Sequence, residues 1–245
     1  MSNQVELGFN RTGIATSPRL SARMVEGMQE FPPNVPGDEV AIADERQRYA
    51  QQGEQVGSVP PPATVSGMAS AAVQGIRGEH PVAFIDKLGE RLAFERMGTR
   101  LYQALLSKYD VFGGFEGGPT RVELERILLD EYAHFKLLVR AAAEVGADPT
   151  VVTPSADLAA TMSQGVLAVL VDPRATFVQS LEGILLAELV DNDCWETLVE
   201  LAQLRGDEKL ANDFSSALAD EVRHLRLVRS WLAAAQGRTN LPAAD

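Results

Sequence analysis

One eight-residue pattern occurs twice in this chain and constrains it more than any other feature. Asp130-Glu131-Tyr132-Ala133-His134-Phe135-Lys136-Leu137 is answered by Asp220-Glu221-Val222-Arg223-His224-Leu225-Arg226-Leu227. In each copy Glu and His stand three residues apart, so on a helix both side chains share one face, a turn apart. Each copy follows a lone glutamate, Glu95 or Glu188, by 36 and 33 residues respectively. Tyr102 and Trp195 each follow their lone glutamate by seven. With Glu at 20 of 245 residues, a given histidine has Glu three before it by composition alone roughly one time in twelve. Two such pairs, each preceded by a matching glutamate, are not a coincidence of composition.

The pattern sits on helices. From Pro81 onward the apolar residues fall at intervals of three and four: Phe84, Leu88, Leu92, Thr99, Tyr102 and Leu106 on a first helix that the Gly113-Gly114 and Gly117-Gly118 pairs end. Thr120 with Glu123 three residues on forms a capping box for a second helix, striped by Leu124, Ile127, Leu138 and Ala141 and stopped by Gly146 and Pro149. Asp172-Pro173 reads as the cap and first turn of a third, with Leu181, Leu185, Trp195, Val199 and Ala202. The fourth presents Phe214, Ala217, Val228 and Trp231 before Gly237. No strand pattern competes. Helices one and two, and three and four, are joined by short loops, while residues 147–171 bridge two and three and include a short helix over 155–171. Two antiparallel hairpins joined by one long crossover is the expected layout.

Four glutamates and two histidines therefore interrupt apolar stripes and point into one interior. Burying that many ionisable groups without partners costs several kcal/mol each, on the order of the penalty for any unpaired buried charge. A pair of cations supplies the compensation. The order Glu95, Glu131-x-x-His134, Glu188, Glu221-x-x-His224 resembles the ferritin-like di-iron carboxylate superfamily. The resemblance covers residues 81–236. It implies an all-α, ferritin-like four-helix bundle in which Glu131 and Glu221 bridge two metals, Glu95 and His134 complete one shell, and Glu188 and His224 complete the other. It further implies that Asp130 orients His224 and Asp220 orients His134 through each ring's distal N–H.

Carboxylate and imidazole donors suit iron or manganese and leave positions for O2 or H2O2. The ligand set does not separate the two metals, and the resemblance favours two iron ions. Rubrerythrin-like peroxidases usually add a four-cysteine module, whereas this chain has Cys194 alone. Bacterioferritin-like relatives share both motifs, and Tyr102 is similar to the tyrosine that ferritins place near the metals, where it would pass an electron. The resemblance thus implies an oxidoreductase that oxidises iron or reduces peroxide. A second expectation is an oxygenase of a small organic substrate, with a cavity lined by Ala93, Thr99 and Ala187. A third is a metal-binding stress or scaffold protein that docks through its N-terminal arm.

The arm is residues 1–80. It carries Pro32, Pro33, Pro36 and Pro60–Pro62 and shows no sustained period, so it reads as extended or disordered, with a short helical piece over 40–52 and a stiff polyproline spacer. Residues 8–18 are a candidate docking peptide for a protein partner. Residues 237–245 form a tail. The net charge of −12 argues against nucleic acid and anionic lipid as partners. The first six residues lack a basic start and apolar run, and the apolar runs 166–171 and 184–190 are too short to span a bilayer. These features point to a cytoplasmic protein, and exposed helix faces leave a homodimer open.

Overall fold

The computed structural model describes residues 3, 13–32, 34, 38–76 and 81–238. Among the described residues the chain is all-helical, without strands. It divides into two compact units, Val5–Gln55 on one hand and residues 1–4 with 56–245 on the other.

The smaller unit holds α1 (Pro18–Glu30) and α2 (Glu39–Gln52). The arm is thus more helical than its prolines suggested. Pro18 opens α1, a position that needs no N–H, and the Asp38 side chain caps α2 by accepting from the Ala41 N–H. Helix α2 matches the helical piece expected over 40–52, whereas α1 was not expected; neither helix has a buried residue. Of the candidate docking peptide, residues 8–12 lie outside the described residues, and 13–17 form a turn in which Ser17 N–H donates to Gly13 O at 2.9 Å.

In the larger unit, α3 (Val65–Ile76) is followed by α4 (Pro81–Phe112), α5 (Arg121–Glu144), α6 (Pro154–Val171), α7 (Phe177–Leu204) and α8 (Glu208–Ala235). Helix α4 packs on α5 and α7, α8 packs on α7 and α5, and α6 covers α4 and α7. The core has two halves. Around one end cluster Leu101, Leu105, Leu124, Ile127, Phe177, Leu181 and Val228; around the other, Phe84, Leu88, Leu138, Trp195, Leu198 and Phe214. Between them lies the band of acidic and histidine side chains.

The helix boundaries follow local chemistry. Thr120 and Glu123 form the capping box of α5, and Gly113, at φ +72°, turns the chain out of α4. Asp172 does not start α7. It closes α6, its carboxylate accepting the Arg174 N–H at 2.8 Å, and α7 begins five residues later, at Phe177, behind a second capping box, Thr176 with Gln179. The reciprocal pair of bonds in that box outweighs the Asp-Pro signal. Helix α6 is the one described helix long and apolar enough to cross a membrane, with a mean hydropathy of 1.2 over 18 residues. That exceeds what the shorter apolar runs suggested. Here α6 lies along α4 and α7.

The spacer after the prolines is not free either. Ala63 N–H donates to Gly146 O at 2.8 Å. Gly67 seats against Gly146 so closely that a Cβ on Gly67 would come within 3.0 Å of the Gly146 Cα.

Candidate metal centre

Four helices each deliver carboxylates to one interior point. Helix α4 brings Glu95, α5 brings Glu131 and His134, α7 brings Glu188, and α8 brings Glu221 and His224. All six side chains are buried, His134 being the most exposed at 4 %. Each lies in register with apolar neighbours a turn away, Leu92 and Leu88 on α4, Ile127 and Leu138 on α5, so packing those stripes forces the polar residues inward. Gly98 makes room: a Cβ there would run into the Glu131 carboxylate.

The donor atoms converge. Glu131, Glu188, Glu221 and His224 each place one ligand atom within 4.8 Å of the others, and Glu95, His134 and Glu221 do the same. His224 Nδ1 lies 3.2 Å from Glu221 Oε2 and 3.6 Å from Glu131 Oε1. His134 Nδ1 approaches Glu221 Oε1 to 2.7 Å but outside hydrogen-bond geometry. Glu95 Oε2, Glu131 Oε2, His134 Nδ1, Glu188 Oε2 and Glu221 Oε1 are all buried with no hydrogen-bond partner, His134 Nδ1 and Glu221 Oε1 facing each other as an ion pair. Unsatisfied buried polar atoms are rare in folded proteins and costly. Five around one point, all carboxylate oxygens or imidazole nitrogen, form a donor set that fits divalent iron or manganese.

The ring nitrogens facing away also meet carboxylates. His224 Nε2 lies 3.4 Å from Asp130 Oδ2, and His134 Nε2 lies 3.7 Å from Asp220 Oδ2. Arg223 joins the two aspartates, donating to Asp130 at 2.7 Å and Asp220 at 2.9 Å. Such partners fix which ring nitrogen is left to bind a metal. The Tyr102 hydroxyl donates to Glu188 Oε1. Asn192 ties the ligand-bearing turns of α7 and α8 together, donating to the Glu188 carbonyl at 2.9 Å and the Glu221 carbonyl at 3.1 Å.

Two residues of the centre, Arg91 and Asp191, escaped the sequence pattern, and Trp195 was placed on its stripe without its partner. Arg91, 1 % exposed, pairs with Glu95 at 2.5 Å and with the buried Asp191 of α7. The Trp195 indole N–H donates to Glu95 Oε1 at 2.8 Å. An arginine four residues before a glutamate reads as an ordinary surface pair, and Asp191 opens an Asp-Asn-Asp run that looks solvated. The signal that could have found them is their phase. Arg91 lies one turn before Glu95, and Asp191 one turn after Glu188, both on the buried stripe. Arg91 thus offsets part of the cluster's negative charge from within the chain itself.

The electrostatics record the crowding. Burial, opposed by Arg91, pushes Glu95 up to about 8. Burial and the Glu221 charge raise Glu131 and hold Glu188 well above the usual carboxylate range. Against burial, contacts with His134 and His224 keep Glu221 at about 2. Against burial too, the neighbouring carboxylates lift His134 to about 9 and His224 to about 12. Without metal, the cluster takes up protons to offset its own charge.

Tyr132, inside the first motif, faces solvent with Lys136 Nζ 4.1 Å from its ring centre. A cavity of about 110 Å³ opens between α4, α6 and α7, lined by Phe94, Leu101, Met162, Val166, Ala187 and Cys194 among others. Of the three residues expected to line a cavity, only Ala187 does so; Thr99 instead turns its hydroxyl back to the Glu95 carbonyl at 3.1 Å. No protein-family model, curated protein or solved structure matches the chain.

Proposed function

We propose that residues 81–236 form a ferritin-like four-helix bundle whose centre holds two iron ions, and that the protein is an oxidoreductase using O2 or peroxide. One observation carries this reading: five buried ligand atoms without hydrogen bonds, gathered from four helices around one point. Two short-loop hairpins joined through α6 support the bundle layout.

Bound there, two iron(II) ions would supply one electron each to dioxygen or peroxide. The chain's own residues do the rest. Glu131 and Glu221 stand between the two ends of the centre, Glu95 with His134 at one and Glu188 with His224 at the other. Asp130 and Asp220 face the distal nitrogens of His224 and His134, at 3.4 and 3.7 Å, while both Nδ1 atoms face the carboxylates. Tyr102 orients Glu188 through its hydroxyl and, in this reading, would pass an electron. Packed apolar layers on both sides exclude bulk water.

The cavity between α4, α6 and α7 favours a second reading, an oxygenase of a small apolar substrate. Its wall includes Phe94 and Ala187, each the chain neighbour of a proposed ligand. Anaerobic iron(II) loading, elemental analysis and measured O2 and H2O2 consumption test both readings. Two irons per chain with rapid consumption are expected. Two irons without turnover would leave a metal-binding protein and remove the oxidoreductase assignment.

A further inference from the structure

The two halves of the centre differ at two cations: Arg223, half-buried and 3.4 Å from His224 Nε2, stands where the first motif has Ala133, while the other, Arg91, is fully buried at the Glu95 end. Four residues before Glu188 stands Ile184, buried and apolar; four before Glu95 stands Arg91, equally buried. Three residues after Glu95 stands Gly98; three after Glu188 stands Asp191. The two departures meet, for Arg91 Nη2 pairs with both Glu95 and Asp191. Glu95 Oε1 thus already receives a guanidinium N–H at 2.5 Å and the Trp195 N–H at 2.8 Å. At the opposite end, among the described residues, the Glu188 carboxylate receives only the neutral hydroxyl of Tyr102.

We infer that Arg91 makes the two metal positions unequal, so that the Glu188–His224 position fills first and tightly while the Glu95–His134 position is weak and exchangeable. This rests on the dinuclear reading proposed above. The donor geometry differs in kind. Glu131, Glu188, Glu221 and His224 gather as one set at the first position, whereas at the second the donors divide between Glu95, His134 and Glu221 and a set of Glu95, Glu131, Glu221 and Asp191, whose Asp191 pairs with Arg91. A dication at the weak position shares its terminal carboxylate with a guanidinium and is repelled by that fixed charge in a poorly screened interior. Asp191 is a donor held in reserve. One of its oxygens lies within 4.8 Å of ligand atoms of Glu95, Glu131 and Glu221, but Arg91 occupies it. Arg91 therefore acts as a positioning residue, through Glu95 and Asp191 rather than on any substrate.

The test is anaerobic titration of the metal-free full chain with Mn(II), followed by calorimetry and by electron paramagnetic resonance. Two steps are expected, one ion each, with dissociation constants about a hundredfold apart. The first should give an isolated Mn(II) spectrum and the second a coupled pair. Arg91→Gln, which frees Glu95 and Asp191, should tighten the second step and bring the two within about tenfold, while Arg91→Lys keeps a cation and should keep the gap. Glu188→Gln should abolish the tight step, and Glu95→Gln should leave it in place. Two equal steps in the wild type overturn the inference and leave the dinuclear centre standing, whereas no binding at all overturns both. A gap unchanged in a folded Arg91→Gln also overturns it. Should that variant fail to fold, loss of the tight step in Glu95→Gln rather than Glu188→Gln does the same.

Discussion

Trp195 reaches across from α7 to donate its indole N–H to Glu95 on α4, at 2.8 Å. The relation is reciprocal: Tyr102, seven residues after Glu95, donates its hydroxyl to Glu188, which stands seven residues before Trp195. Each lone glutamate is thus held by the aromatic residue of the opposite helix, and α4 and α7 are cross-linked at both ends of the centre. The matched spacing of seven has a physical purpose, since two helical turns carry the aromatic to the far end of the centre.

The aromatic pair separates holding from electron transfer. Tyr102→Phe keeps the ring in its buried slot and removes one hydrogen bond, a loss of about 1 kcal/mol. On the proposed dinuclear centre the variant should bind as much iron as the wild type, and thermal melting should shift only slightly. Stopped-flow oxidation of the loaded protein should slow at least tenfold if the hydroxyl passes an electron. An unchanged rate would restrict Tyr102 to orienting Glu188.

Stability should depend on pH more steeply without metal than with it. In the metal-free chain Glu95 titrates near 8, above its ordinary range, so the stability it contributes is present below the ordinary carboxylate range and lost as pH rises through 8. His134, near 9, and His224, near 12, act in the same direction, losing their contribution as pH rises from the ordinary histidine range. Glu221 and Asp130, both near 2, contribute above the ordinary range and lose it only as pH falls towards 2. The metal-free melting temperature should therefore fall between about pH 5 and pH 9. Metal binding expels those protons, so the gain in melting temperature on loading should grow over the same interval. Calorimetric scans at several pH values check it, and a gap that shrinks as pH rises contradicts the ligand assignment.

Gly98 carries a prediction that helix propensity alone reverses. Alanine in the middle of a helix normally stabilises by up to about 1 kcal/mol over glycine. Here a Cβ would strike Glu131 Oε2. Gly98→Ala should therefore displace Glu131 and lower metal content from two ions per chain, even where the helix itself gains stability. Elemental analysis beside circular dichroism separates the two effects.

Asp130 and Asp220 should matter through the histidines they face. Asp130→Asn and Asp220→Asn each replace an acceptor near a distal ring nitrogen with a weaker one, which typically weakens metal binding about 10–100-fold. Arg223→Gln, which unties both aspartates, should have a smaller effect on both positions. Equilibrium titration against a competing chelator measures all three.

The residues of the centre differ in how visible they are to sequence reasoning. Glu131, His134, Glu221 and His224 stand out because each breaks an apolar stripe in phase, and a buried charge is too costly to be accidental. Arg91 and Asp191 share that phase, yet their pairing spans two helices, and no local pattern records which distant side chain a guanidinium will meet. The same contrast holds for the fold. Capping by Thr120 was legible because both partners lie within four residues. Helix α1 was not, although Leu20, Met24, Met28 and Phe31 recur at helical spacing, because flanking prolines and the lack of a packing partner hid it.

The arm divides at the prolines. Residues 1–60 include α1 and α2, which bury nothing, so deleting them should leave metal content and the melting temperature nearly unchanged. Deleting residues 1–76 also removes the Ala63 N–H from the Gly146 carbonyl and the seat of Gly67 on the turn that ends α5. Gly146 adopts φ +77°, and that turn leads directly towards α6. The longer deletion should cost about 1 kcal/mol from the lost hydrogen bond, more if the turn loosens. Hydrogen exchange should show faster opening at residues 145–153 and no change at the ligand-bearing turns. Equal melting temperatures for the two truncations would mean that the 63–67 segment only rests on the helical core and does not brace it.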